Sequence, residues 1–289
     1  MAECIKLEHV SHIYMPDSPF EKKSLNNVSF SVEKGEFIGI IGHTGSGKST
    51  LIQMFNGLLL PSEGKVLING NEIHETKESM RQARRVVGMV FQYPEYQLFE
   101  ETVRQDIAFG PKNLGLSENE IAHNVLEAAE LVELPSELLD KSPFDLSGGQ
   151  KRRAAIAGVL AMKPEILVLD EPIAGLDPKA RKRILEQINR LHQNTGITVI
   201  MVSHSMEDVA RYASRLLVMD HGTLKYSGTP REVFLHREEI EKMGLSIPQV
   251  SQVVQELAER GFGVNPDACT VEEAASAILQ CIRGGERSD

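Results

Sequence analysis

The stretch Phe37-Ile38-Gly39-Ile40-Ile41-Gly42-His43-Thr44-Gly45-Ser46-Gly47-Lys48-Ser49-Thr50 decides how the rest of the chain is read. Its first five residues are an apolar run of strand length. After it, Leu51, Ile52, Met54, Phe55 and Leu58 recur on one broad helical face. The loop between them matches G-x-x-x-x-G-K-[ST], in the strand-to-helix context that confirms a phosphate-binding loop. Glycines let successive backbone N–H groups converge on an anion, and the helix N-terminus adds its positive dipole end. Lys48 is expected to reach the β- and γ-phosphates, and the Ser49 hydroxyl to ligate Mg²⁺. A merely structural Gly-rich turn needs neither the Lys-Ser pair nor both flanks. Gly42, His43, Thr44, Gly45, Ser46, Gly47, Lys48, Ser49 and Thr50 are therefore the candidate ATP-binding segment.

Outward from this loop, other short apolar runs read as buried parallel strands: 86–91, 166–169, 198–202 and 216–219. Helical stretches separate several of them, which implies an α/β sheet with crossover helices. The N-terminal third reads as β. Residues 28–32 alternate apolar and polar, and Val66-Leu67-Ile68 leads into the turn signal Asn69-Gly70. Between Phe91 and Glu165 the pattern becomes helical, with a capping box at Ser117-Glu118-Asn119-Glu120. After Gly228-Thr229-Pro230 the composition shifts. Val250, Val253, Val254 and Leu257 mark one amphipathic helix, and Thr270-Val271-Glu272-Glu273 caps another carrying Ala274, Ala275, Ile278 and Leu279. The expected division is residues 1–230 as a nucleotide-binding domain, with a helical subdomain at about 92–162, and residues 231–289 as a C-terminal helical dimerisation unit. So small a unit is expected to bury its apolar faces on the cassette or on a second chain.

The composition of the 289 residues bounds the function. A formal net charge of -10 argues against nucleic acid as the main partner, because phosphate binding needs concentrated Lys and Arg. The start MAECIKLEHV has no basic region followed by an apolar run, so no secretory signal is expected. The apolar stretches are far shorter than the roughly 20 residues that span a bilayer, so a membrane role would be peripheral. Cys4, Cys269 and Cys281 form no CxxC pair and no zinc spacing, and read as reduced cytosolic thiols.

Two further motifs carry chemistry. Ile166-Leu167-Val168-Leu169 ends in Asp170-Glu171, placing two carboxylates at the ligand edge of the sheet. Asp170 can hold Mg²⁺ through water, and Glu171 can polarise the attacking water as general base. Alone this is a strand meeting a polar loop; the phosphate-binding loop upstream gives it meaning. Leu146-Ser147-Gly148-Gly149-Gln150 is more specific, since a given pentapeptide arises by chance in such a chain on the order of 10⁻⁴ of the time. Ser147 can cap the helix that follows, which leaves free N–H groups and two glycines facing outward as a second anion site with no phosphate of its own.

This pentapeptide is the signature of ATP-binding cassette (ABC) ATPases, and from Ile5 to about Val233 the chain resembles that family. The resemblance implies a P-loop NTPase cassette with a mostly parallel sheet, an N-terminal antiparallel β-subdomain and an inserted helical subdomain. It implies that Ser147, Gly148, Gly149 and Gln150 close on the γ-phosphate held by a partner subunit. Gln92, after the strand 86–91, resembles the Q-loop glutamine that approaches Mg²⁺ and water, which makes Ser49, Gln92 and Asp170 the Mg²⁺ set. Ala174-Gly175-Leu176-Asp177 resembles the D-loop, His204 the switch histidine that contacts the γ-phosphate, and Tyr14 the aromatic that stacks on adenine. Lys48, Glu171 and His204 form the catalytic set. Ile173 stands where family members often carry Thr, at a position with no ligand role.

The His43-Thr44 pair, the run from Phe91 to Val103, and Phe109-Gly110-Pro111-Lys112-Asn113-Leu114-Gly115 are similar to the ATPases of energy-coupling factor (ECF) importers. Within them, the His43-Thr44 pair and Gly110-Pro111-Lys112-Asn113 are similar to the second of two paralogous ATPases. The resemblance implies a peripheral ATPase on the cytoplasmic face of the cell membrane, pairing head to tail with a paralogous ATPase subunit or with its own copy. A transmembrane coupling subunit and a membrane substrate-binding subunit for a vitamin or transition-metal ion would complete the importer. The acidic, aromatic run after Gln92 reads as a docking groove for basic coupling helices. The alternative is a soluble ABC ATPase acting as a regulator. Translation factors of the superfamily usually carry two cassettes, and chromosome ATPases insert a long coiled coil, whereas this chain has one cassette and a compact insertion.

Overall fold

The computed structural model describes residues 2–285. An antiparallel sheet opens the chain: β1 (Glu3–Tyr14), β2 (Lys22–Glu33), β4 (Glu63–Ile68) and β5 (Asn71–Glu72), in the order β2-β1-β4-β5. The second sheet holds β3 (Phe37–Ile41), β6 (Val87–Val90), β7 (Ile166–Asp170), β8 (Thr198–Val202), β9 (Arg215–Asp220) and β10 (Thr223–Gly228), in the order β10-β9-β3-β8-β7-β6. All its pairings are parallel except the β9–β10 hairpin. Between and after the strands come α1 (Lys48–Met54), α2 (Lys77–Val86), α3 (Val103–Asn113), α4 (Glu118–Leu131), α5 (Gly148–Leu160), α6 (Pro178–Thr195), α7 (Met206–Tyr212), α8 (Pro230–Phe234), α9 (Arg237–Lys242), α10 (Gln249–Glu259) and α11 (Val271–Gly285).

The central strands are buried on both faces, which is why they read as unbroken apolar runs. Ile38, Ile40, Ile166 and Val168 point into a core shared with the antiparallel sheet and α1. Phe37, Ile41, Leu167 and Leu169 point into a second core under the helices. This alternation is the period-2 geometry of a strand. The helical insertion is built from α3, α4 and α5, with capping boxes at Thr102, Ser117 and Ser147.

The apolar faces of α10 and α11 are buried largely on each other. Val254, Val264, Ala268 and Ala274 make a small core there, with Val250, Leu257 and Ile278 against it. This corrects the expectation that only the cassette or a second chain could cover them: facing helices cover part of each other's stripe. Residues just after 230 behave differently, because Val233, Phe234, Ile240 and Ile247 join the main core of the cassette. On the outside of the unit Val253, Phe262, Val271, Leu279 and Ile282 stay exposed.

Candidate functional site

The loop after β3 closes around its own lysine. Lys48 Nζ donates to the carbonyl oxygens of Gly42 at 2.6 Å and His43 at 3.0 Å. Gly45 and Gly47 hold positive φ of 83° and 102°, which a β-carbon disfavours. At Gly47 there is also no room, since a Cβ would stand 2.6 Å from the Ser24 carbonyl oxygen. Gly47 sits at the N-cap of α1 without a side-chain cap, so the first N–H groups of that helix stay open to a ligand. Burial pushes the Lys48 ammonium below its usual range, and the nearby charges of Glu171 and Asp170 oppose that shift.

The loop opens on a cleft of about 500 Å³ lined by Tyr14, Lys22, Ser24, Thr44, Gly45, Gly47, Lys48, Ser49, Thr50, Gln92, Glu171 and His204. Three elements bring the reacting groups together at its floor. Glu171 follows the last residue of β7 in left-handed backbone, φ 48°, with its N–H paired to the Val202 carbonyl at 3.1 Å. A bulky residue there costs on the order of 1–3 kcal/mol, a strain characteristic of functional positions. Its carboxylate is gripped from two sides: Gln92 Nε2 donates to Oε2 at 3.0 Å, and His204 Nε2 lies 2.8 Å from Oε1. Asp170 is buried. Burial first, then the adjacent Glu171, push its carboxyl above the usual range, while the neighbouring Ser49 hydroxyl opposes that shift. The candidate donors here are hard oxygens from Ser49, Asp170 and Gln92, beside the Glu171 carboxylate. That is the donor chemistry Mg²⁺ takes, so the residues fit the ion.

Tyr14 lies at the cleft rim, its hydroxyl 3.2 Å from that of Thr50. Lys22 and Ser24 were not legible as site residues. Lys22 reaches the cleft because it pairs with Tyr14 across the antiparallel register, a fact of pairing with no local motif. Gly42, His43 and Ser46 do not line the cleft; Gly42 and His43 contribute the carbonyls that hold Lys48, and Ser46 is fully buried.

Ser147, Gly148, Gly149 and Gln150 open α5 away from this cleft. The Ser147 hydroxyl accepts from the Gln150 N–H at 3.4 Å, and Gln150 Oε1 accepts from the Ser147 N–H at 2.9 Å. Nothing lies within 4 Å of where a Cβ on either glycine would stand, so this helix end faces open space. Asp177 caps α6, its Oδ1 accepting from the N–H groups of Lys179 and Ala180 at 3.0 Å.

A buried arginine links these parts. Arg152 of α5 forks onto Glu95, Nε to Oε2 at 3.0 Å and Nη2 to Oε1 at 2.8 Å, and its Nη1 donates to the Ala174 carbonyl at 2.7 Å. The signature helix, the segment after Gln92 and the loop leading to Asp177 thus share one guanidinium. Glu95 is thereby taken out of the acidic docking groove expected after Gln92, because the fork geometry draws its carboxylate inward. Tyr96 and Phe99 remain exposed on that surface.

The ABC transporter family profile matches residues 25–174. The energy-coupling factor transporter ATP-binding protein EcfA2 of Caldanaerobacter subterraneus subsp. tengcongensis is 56% identical over 97% of this chain and 98% of that protein. The protein of the same description from Clostridium perfringens is 54% identical over 96% and 98%. Among solved structures, cbiO1 from Clostridium perfringens, part of the ABC transporter complex cbiONQ, superposes with a TM-score of 0.74 at 37% identity, over 88% of this chain and 99% of that one. A dimeric ATP-binding cassette in a post-hydrolysis state, bound to ADP and Pi, superposes with a TM-score of 0.70 at 29% identity, over 78% and 98%.

Proposed function

Because the chain belongs to the ABC transporter family, and within it to the energy-coupling factor ATP-binding proteins, we propose that it binds and hydrolyses ATP to drive an importer whose membrane subunits are separate chains. No helix among the described residues is long and apolar enough to cross a membrane, which suits a peripheral ATPase on the cytoplasmic face. The cargo would be a vitamin or a transition-metal ion, bound by a membrane substrate-binding subunit and reached through a transmembrane coupling subunit. The second ATPase would be a paralogous subunit or another copy of this chain.

The observation that carries the catalytic reading is the double grip on Glu171 by Gln92 and His204, in the same cleft as Lys48. With ATP in the cleft, the open N–H groups at the start of α1 and the ammonium of Lys48 hold the phosphates. Glu171 orients water for in-line attack and takes its proton, with His204 at the γ-phosphate side. Ser49, Asp170 and Gln92 would hold Mg²⁺, which would neutralise phosphate charge when bound. The open N-terminus of α5 completes the site of the partner, so hydrolysis needs two ATPases. The test is single-turnover hydrolysis by the assembled pair in Mg²⁺, with Lys48→Ala and Glu171→Gln in this chain. Loss of nucleotide binding in the first and of hydrolysis alone in the second is expected. Wild-type turnover in either overturns the assignment.

A further inference from the structure

The imidazole of His43 turns away from the nucleotide cleft into a separate hollow of about 630 Å³, lined also by Asp220, His221 and Tyr226. There His43 Nε2 stands 3.2 Å from Asp220 Oδ1, and His221 Nε2 stands 3.7 Å from the same oxygen. The three donor atoms lie within 4.8 Å of one another. We propose that His43, Asp220 and His221 form a binding site for a borderline divalent transition-metal cation of the zinc, cobalt or nickel class.

Each ligand is set up for this role. His43 Nδ1 lies 2.9 Å from the Thr44 carbonyl oxygen, which only accepts; Nδ1 therefore donates there, and Nε2 is the nitrogen turned to Asp220. Nε2 is buried and has no hydrogen-bond partner. It faces the Asp220 carboxylate oxygen at 3.2 Å, an approach held together by a cation shared between them, whether a proton or a metal ion. Asp220 and His221 flank the β9–β10 hairpin, whose two-residue turn His221-Gly222 has positive φ at both positions, 45° and 76°. That is the type I′ geometry, for which Asn-Gly is the usual solution. Here the first turn position carries an imidazole. The turn is fixed against the loop before α1: the Gly222 N–H donates to the Ser46 carbonyl at 3.0 Å, and its carbonyl accepts from the Asn26 N–H at 2.8 Å.

The spacings suit the ion. Tetrahedral donors at ~2.0–2.1 Å from a metal stand ~3.3 Å apart. One pair is already there, and the exposed His221 ring can close the second distance by rotation. Two imidazoles and one carboxylate favour zinc, cobalt or nickel over Mg²⁺ or Ca²⁺. Lys225 Nζ competes for the other oxygen of Asp220, but from 4.0 Å. An ion here would pin the nucleotide loop to the hairpin, directly behind the His43 carbonyl that holds Lys48.

The experiment uses the untagged, nucleotide-free full chain in excess Mg²⁺, which occupies the hard-oxygen site. Co²⁺ is titrated while its visible ligand-field absorption is read, and Zn²⁺ is added to displace it. One equivalent of Co²⁺ with tetrahedral absorption is expected, displaced by Zn²⁺, with a rise in melting temperature that follows metal concentration. His221→Ala, at the exposed tip, should weaken binding by ~10-fold or more, and His43→Asn likewise. Should His43→Asn fail to fold, His221→Ala alone decides. No stoichiometric Co²⁺ binding, or binding unchanged in the folded variants, overturns the site.

Discussion

Replacing Glu171 by Gln keeps the side chain's shape and its contact with Gln92, but leaves no group that accepts a proton from water. ATP binding should stay within about twofold of wild type while turnover falls by at least ~10²-fold. Equilibrium binding and single-turnover hydrolysis read the two separately. Asp170 predicts a second effect. Its raised pKa means that the folded protein holds this proton more tightly than the unfolded chain does. The associated stability is therefore full below the unfolded pKa and is lost as pH rises through the folded one. Asp170→Asn removes that loss. The nucleotide-free variant should melt above wild type near pH 7. The difference should shrink as the buffer is acidified through the raised carboxylate range. A variant no more stable than wild type at pH 7 would show that the charge is not a burden there.

Helix α5 does two jobs, one at its open N-terminus and one at Arg152. Ser147→Arg fills the outward anion site of α5 without touching the cleft of its own chain. Binding of ATP to that chain should persist, and hydrolysis at the partner's site should stop. A mixed pair with Ser147→Arg in one copy and Lys48→Ala in the other places both lesions in one composite site, so one active site should remain; complete inactivity there would sink the shared geometry. Arg152 is 1% exposed, and its fork onto Glu95 joins α5 to the segment after Gln92. Removing one partner of such a buried pair leaves an uncompensated charge and costs about 3–5 kcal/mol. Arg152→Met should lower the urea midpoint accordingly, and an unchanged midpoint would show that Glu95 finds water instead.

At the scale of the whole molecule, the C-terminal residues divide in two. Phe234, Ile240 and Ile247 belong to the cassette core, so a cut after Thr229 would unmake the cassette. A cut after Pro248 removes α10 and α11, whose mutual core is separate, takes Cys269 alone from the cassette core, and leaves Ile247 in place. The exposed apolar side chains Val253, Phe262, Val271, Leu279 and Ile282 would go with them. We propose that these side chains contact another chain. The chain ending at Pro248 should bind nucleotide nearly as wild type and pair more weakly with a second ATPase when nucleotide is absent. Light scattering of the nucleotide-free pair decides this, and undiminished pairing would place the contact elsewhere.

What the sequence by itself determined were the local devices: the strand-loop-helix around Lys48, the apolar strand ending in Asp170-Glu171, and the helix cap at Ser147. Each is written in consecutive residues, because φ freedom, N-capping and strand alternation act within a few positions. The five parallel strands and the helical insertion were legible for the same reason. Only the tertiary structure decided which distant groups meet. Gln92 and His204 grip one carboxylate because β6 and β8 both flank β7, an order no local pattern contains. Lys22 enters the cleft through its register with Tyr14, Glu95 turns inward to an arginine 57 residues away, and His43 meets a hairpin more than 170 residues downstream. These contacts depend on sheet order and crossover packing, which are set by the burial of whole faces and leave no signature at the residues they join.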